Sequence, residues 1–128
     1  MQSFAAIGVG AALGAWLRWG LGTLLNPLFP TIPLGTLAAN LLGGFLMGVA
    51  MAVLGHYEAL APEARLLVTT GFLGGLTTFS TFSAETATLV TRGELGWSAA
   101  LVALHVLGSV GLTLAGLALA YFALGRMR

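Results

Sequence analysis

Apolar residues fill four long stretches of this chain, and polar residues gather in the short gaps between them. A membrane-spanning helix needs about 20 apolar residues, each rising ~1.5 Å along the axis. The pattern predicts helices over about 4–25, 34–54, 66–90 and 97–124, within a single transmembrane domain covering 1–128. Asn26-Pro27 and Pro30-Thr31-Ile32-Pro33 punctuate the first gap. The link from Gly55-His56-Tyr57-Glu58 to Pro62-Glu63 is the most polar part of the chain. Arg92-Gly93-Glu94 ends the third stretch, and Arg126 and Arg128 close the fourth. The first stretch follows Met1-Gln2-Ser3, which carries no basic side chain. It is too long for a signal-peptide core and has no clear small-residue cleavage site after it, so it reads as a retained helix.

Composition turns these helices into membrane crossings. The chain has 128 residues, 58% hydrophobic and 7% charged, against roughly 25% charged in a soluble domain. Lipid must be the solvent. The net charge of +1 offers no basic stripe for nucleic acid. With no cysteine, disulfides and thiolate metal sites are excluded. Little chain remains outside the bilayer, which argues against an enzyme acting on soluble substrates. Four crossings put both termini on one side. Arg65, Arg126 and Arg128 then flank that side, Arg92 the other, and Arg18 lies nearer the other. This bias toward cytoplasmic termini is weak. It also permits insertion in both orientations, and hence an antiparallel dimer. Among 19 glycines, Gly10 with Gly14 and Gly44 with Gly48 have the spacing that lets membrane helices approach closely, and Gly108 and Gly111 add a flat patch.

Polar groups within a membrane are costly and face protein or water. Arg18, Asn40, Glu85 and His105 are the outliers. Thr36 and Asn40 share one helix face at i, i+4, as do His105, Ser109 and Thr113 on the last helix. Hydroxyls can also bond back to their own helix, so packing explains Ser109 or Thr113 taken singly. The densest signal is Gly71-Phe72-Leu73-Gly74-Gly75-Leu76-Thr77-Thr78-Phe79-Ser80-Thr81-Phe82-Ser83-Ala84-Glu85. Adjacent glycines cost a helix about 1 kcal/mol each relative to alanine. A break is predicted between Gly74 and Thr78, at the midpoint of the third helix. Bare carbonyls at that depth must be buried in protein, face water or hold an ion.

This run resembles the signature of the Fluc (CrcB) fluoride channels, with Gly71 through Phe82 ungapped and Glu85 following. Pro33-Leu34-Gly35-Thr36-Leu37-Ala38-Ala39-Asn40 is similar to the family's second-helix entry, and Arg18 matches its first-helix arginine. The resemblance extends over the whole chain, more loosely in the linkers and the last helix. It implies an all-α integral membrane fold of four transmembrane helices, broken in the third, forming an antiparallel dual-topology homodimer. It implies a non-enzymatic fluoride channel of the prokaryotic plasma (inner) membrane that lowers cytoplasmic fluoride by passive export. Its partners are fluoride, a second copy of the chain and the bilayer. It assigns the anion pathway to Asn40, Phe79 and Phe82. Ser109, Thr113, Thr36 and Ser80 are further hydroxyl candidates along the route. It assigns a structural sodium ion on the dimer axis to the backbone carbonyls of Gly74 and Thr77 from both copies.

The chemistry is compatible. Asn40 offers two N–H donors to a strongly hydrated anion, and phenyl rings present positive edges. Arg18 holds a vestibule positive, or pairs with a polar neighbour, or anchors the helix by snorkelling. A carboxylate repels anions, so Glu85 is paired, protonated or structural rather than a simple ligand. Two rival readings remain. A small multidrug-type proton-coupled antiporter would want a carboxylate in its first helix, where 4–25 has none. A non-transporting accessory subunit would explain the glycine faces but not Thr77-Thr78-Phe79-Ser80-Thr81-Phe82 at mid-membrane.

Overall fold

A computed structural model of the chain describes residues 1–57 and 59–125; Glu58, Arg126 and Arg128, named above, lie outside them. Lipid cannot hydrogen-bond a peptide group, so long apolar stretches satisfy their own backbone as helices. The described residues are helical, with no strand. Helix α1 runs over Gln2–Leu25 and passes into one 3-10 turn, Asn26–Leu28. Helix α2 covers Leu34–His56, and the last helix, α6, covers Leu95–Gly125. These three, α1 with its 3-10 extension, are long and apolar enough to cross a membrane.

The remaining apolar stretch is segmented. It comprises α3 (Pro62–Leu66), a π-helical stretch (Leu67–Leu73), α4 (Gly74–Leu76) and α5 (Phe79–Thr91). Between α4 and α5, Thr77 (φ −81°, ψ 153°) and Thr78 (φ −148°, ψ 114°) are extended. Gly74 itself is helical (φ −64°, ψ −36°), so the adjacent glycines do not unwind the chain. The 13 residues of α5 rise about 20 Å, short of a ~30 Å hydrocarbon core. Among the described residues three helices are long and continuous, and the predicted third stretch is segmented, its extended residues Thr77 and Thr78 falling at the end of the expected break.

The ends follow ordinary capping chemistry, with one long-range exception. Helix α5 closes on Gly93 at φ +76°, where Gly93 N donates to Val90 O (3.0 Å) and Glu94 N to Leu89 O (2.9 Å). That is a left-handed glycine stop. Helix α2 starts after Pro33, which has no capping side chain. Asn26 takes over from outside the helix: its Oδ1 accepts from Gly35 N (2.7 Å) and Thr36 N (3.3 Å), two donors the first turn leaves free.

Packing is in two close pairs. Helix α2 lies chiefly against α6, and α1 lies against the π-helical stretch and α4. Both contacts run through glycine. A Cβ on Gly48 would collide with the carbonyl of Thr113, and one on Gly14 with the carbonyl of Phe72. The buried apolar clusters are correspondingly small: Ile32, Phe82, Leu89 and Leu101 at one place, Ala52, Ala120 and Leu124 at another. Many large apolar side chains, among them Trp16, Trp19, Leu24, Leu107 and Phe122, are left on the outside. In lipid this costs nothing, and association rests on close van der Waals approach instead.

Gly48→Ala is expected to lower stability by about 1–3 kcal/mol through overpacking. Gly55→Ala, where nothing lies within 4 Å of the added methyl, is expected to be neutral or slightly stabilising. Thermal unfolding of both variants in detergent checks the contrast; equal stabilities would show that the α2–α6 contact is looser than described.

Candidate functional site at the interrupted segment

The interruption is built by side chains from two elements. Asn40, on α2, holds the backbone of Thr78 at both polar groups: its Nδ2 donates to Thr78 O (3.0 Å), and its Oδ1 accepts from Thr78 N (2.7 Å). Thr78 then caps α5, its Oγ1 accepting from Thr81 N (3.1 Å) and donating to Thr81 Oγ1 (3.0 Å). Ser80 Oγ lies 3.3 Å from Thr78 Oγ1. A threonine N-cap is a strong local reason for α5 to start here.

An open cavity of about 460 Å³ lies beside the interruption. Asn40, Phe79, Phe82, Ser109 and Thr113 line it together with Gly74, Thr77, Thr78 and His105. Phe79 and Phe82 stand edge to face, 5.5 Å between centroids at 61°. Phe82 is 8% exposed, whereas Phe79 is 79% exposed on this single chain. His105, 4% exposed, packs on Phe82 at 4.7 Å. Its Nδ1 sits 3.1 Å from Leu101 O, and its Nε2 is buried with no partner among the described residues.

Three of the four hydroxyl candidates already have their proton committed. Thr113 Oγ1 points its hydrogen toward the carbonyls of Gly44 (2.9 Å) and Ser109 (2.8 Å), tying α6 to α2. Thr36 lies outside the large cavity and donates to Glu85 Oε1 (2.6 Å), tying α2 to α5. Ser109 is left as the freer hydroxyl and lines the cavity, whereas Ser80, exposed at the start of α5, directs its proton to Thr78 Oγ1, whose own proton goes to Thr81 Oγ1.

Thr78 also borders a second, smaller opening of about 420 Å³ with Arg18, Thr23, Asn26, Thr36 and Thr81. Arg18 has no hydrogen-bond or ion-pair partner among the described residues. Of its three expected roles, pairing with a polar neighbour is not seen. A third opening, about 290 Å³, has Thr81, Glu85, Thr88 and Arg92 among its lining residues. Glu85 Oε2 is buried there without a partner among the described residues. The three openings are linked in order by shared residues, Thr78 between the first and second and Thr81 between the second and third.

No three His, Asp or Glu side chains converge among the described residues. The oxygens at the interruption are backbone carbonyls and hydroxyls. Gly74 is exposed and carries no side chain to cover its carbonyl. The sequence marks Thr78 as one end of the expected break, but not its hydrogen bonds to Asn40 and Thr81, nor the Asn26 cap. Asn26-Pro27 reads as a turn, and only the fold brings Asn26 under α2. The helix-start pattern at Thr78, a threonine ahead of an apolar run, was the available signal for its capping role.

These features define an all-helical membrane protein with an interrupted segment flanked by openings. The chain belongs to the CrcB family: the family model described as "CrcB-like protein, Camphor Resistance (CrcB)" matches residues 5–117. It is 59% identical over 117 residues to a "Fluoride-specific ion channel FluC" of Nitrosospira multiformis, covering 91% of each chain. It is 56% identical over 126 residues to one of Pseudomonas putida (98% of this chain, 99% of the relative). It is 64% identical over 110 residues to one of Aromatoleum aromaticum (86% and 84%).

Thr36→Val is expected to leave both Glu85 oxygens without a donor and to cost about 1–3 kcal/mol. In a double-mutant cycle with Glu85→Ala, which removes the acceptor, the two changes should couple by 0.5 kcal/mol or more, which is about the smallest coupling seen between directly bonded residues. Additive losses in thermal or denaturant unfolding would contradict the bond.

Proposed function

We propose that the chain is a fluoride-selective channel subunit that lets fluoride leave the cell passively through the plasma membrane, and that it works as an antiparallel homodimer. The observation that carries this reading is the Phe79–Phe82 pair, set at the start of α5 on the wall of the large cavity. Relatives of 56–64% identity that are named fluoride-specific ion channels support it.

The chemistry follows from the two ends that meet at the interruption. A helix N-terminus carries a partial positive charge and a C-terminus a partial negative one. Interrupted membrane helices use the first for anions and the second, with its bare carbonyls, for cations. Here α5 begins at Phe79 and α4 ends at Leu76. Fluoride is served on the α5 side. Asn40 spends one N–H on Thr78 O and keeps one for the cavity. Ser109 supplies a hydroxyl donor, Ser80 braces the Thr78 cap beside it, and the phenyl edges of Phe79 and Phe82 supply positive quadrupole. Neutral donors bind weakly enough for the ion to leave, as conduction requires. Thr36 and Thr113 contribute hydroxyl oxygens and framework rather than free protons. The openings on either side of Thr78 and Thr81 mark the route past Arg18, whose charge has no partner among the described residues and favours anions there.

A cation fits the α4 side. The donors available are neutral carbonyl oxygens, Gly74 is uncovered, and the charge is that of a helix C-terminus. Sodium there would be held by Gly74 O and Thr77 O of each copy and would offset the charge of carbonyls brought together by the dimer. The exposure of Phe79 and Gly74 supports a second copy over this face. The segmented stretch Pro62–Thr91 then crosses the membrane as the third of four crossings.

In liposomes loaded with both anions, the purified protein is expected to release fluoride rapidly and chloride at the rate of protein-free vesicles, read with ion-selective electrodes. Phe79→Ile and Phe82→Ile should slow fluoride release by tenfold or more while leaving the assembled protein intact. Equal release of the two anions, or none, contradicts the channel. A cysteine at Ser3, labelled in whole cells, should react from both sides of the membrane; labelling from one side alone contradicts antiparallel assembly.

A further inference from the structure

In an uninterrupted α-helix each N–H bonds the carbonyl four residues back. The N–H of Thr78 would reach Gly74 O, and that of Thr81 would reach Thr77 O. Neither does so here. Asn40 Oδ1 takes the Thr78 N–H at 2.7 Å, and Thr78 Oγ1 takes the Thr81 N–H at 3.1 Å. The helical bond just before them persists, from Thr77 N to Leu73 O at 3.0 Å. The extended backbone at Thr77 and Thr78 frees the carbonyls from Gly74 to Thr77 of helical donors, and at Gly74 and Thr77 the missing donor is held instead by a side-chain oxygen.

We infer that Asn40 and Thr78 are positioning residues for the cation at the interruption: by diverting two backbone N–H groups, they create its carbonyl ligands. The inference rests on the cation reading above and deepens it. The diversion at Thr78 depends on the same Asn40 amide that lines the anion cavity. The anion donor and the cation ligands are thus held by one hydrogen-bonded unit of Asn40, Thr78 and Thr81. Anything that turns the Asn40 amide returns a competing N–H to Gly74 O. Anything that removes the Thr78 hydroxyl returns one to Thr77 O. The Thr78 hydroxyl is buried along with its residue, 6% exposed, so water does not readily replace it.

Thr78→Val keeps the side-chain shape and removes the hydroxyl, whereas Thr78→Ser keeps the hydroxyl. The readout is the melting temperature of the assembled protein in detergent, titrated with sodium chloride against N-methyl-D-glucamine chloride at constant ionic strength. The wild-type chain is expected to be stabilised by sodium. Thr78→Val and Asn40→Ala should each need at least tenfold more sodium for the half-maximal shift, and Thr78→Ser should titrate like the wild type. If the wild-type melting temperature does not respond to sodium, the cation site itself is refuted, and the inference with it. If the wild type responds and Thr78→Val titrates identically, the cation reading stands and the positioning role is refuted. Should Asn40→Ala fail to fold, the valine and serine pair at residue 78 decides the question alone.

Discussion

Two hydrogen bonds between the Asn40 amide and the backbone of Thr78 hold open the segment between α4 and α5. In hydrocarbon each unsatisfied backbone group costs several kcal/mol. Extended residues at Thr77 and Thr78 forgo helical bonds, so that cost must be met from outside the segment. A primary amide is suited to it, since one side chain offers both a donor and an acceptor. The Thr78 hydroxyl then starts the helix again at Phe79. From these contacts follow the placement of the two phenyl rings, the exposed Gly74 in α4 and the position of Thr78 between two cavities.

The clamp works only because its two sides are held at fixed distance. α2 is fixed against α6 through Gly44, Gly48 and Gly116, where an added Cβ would strike backbone of the facing helix or Phe45. The interrupted segment is fixed against α1 through Gly10, Gly14, Gly71 and Gly75, which leave equally little room. Thr36 on α2 adds a second tie, to Glu85 on α5. Glycine in this chain therefore serves mainly close approach. This differs from its expected role at the interruption, where Gly74 stays helical and the extended backbone belongs to two threonines. The uncovered carbonyl, which needs a residue without a side chain nearby, is where Gly74 matters.

Local pattern made much of this legible. Long apolar runs with few charges could only be membrane helices, and the motif from Gly71 to Phe82 pointed to the site. Asn40, Phe79, Phe82, Ser109 and Thr113 do line one cavity. What the sequence withheld is set by contacts between distant residues. Asn40 and Thr78 are 38 residues apart, and nothing in either neighbourhood announces the pairing. The same holds for the capping of α2 by Asn26. The commitment of the Thr36 and Thr113 protons also depends on what faces them, namely Glu85 and Gly44. The π-helical stretch Leu67–Leu73 has no periodic signature that distinguishes it from the apolar runs around it. It came into view only with the backbone hydrogen bonds, and π turns of this kind recur at functional positions in helices.

The account stands or falls on whether the Thr78 amide is held by the Asn40 side chain. Hydrogen exchange at that one amide, followed by NMR in detergent micelles, measures it. The Thr78 amide is expected to be protected in the wild-type chain. In Asn40→Ala it should exchange at least tenfold faster, while the Thr77 amide, bonded to Leu73 within its own segment, keeps its protection. An unprotected Thr78 amide in the wild type, or one whose exchange is unchanged in Asn40→Ala, would contradict the clamp and the site built on it.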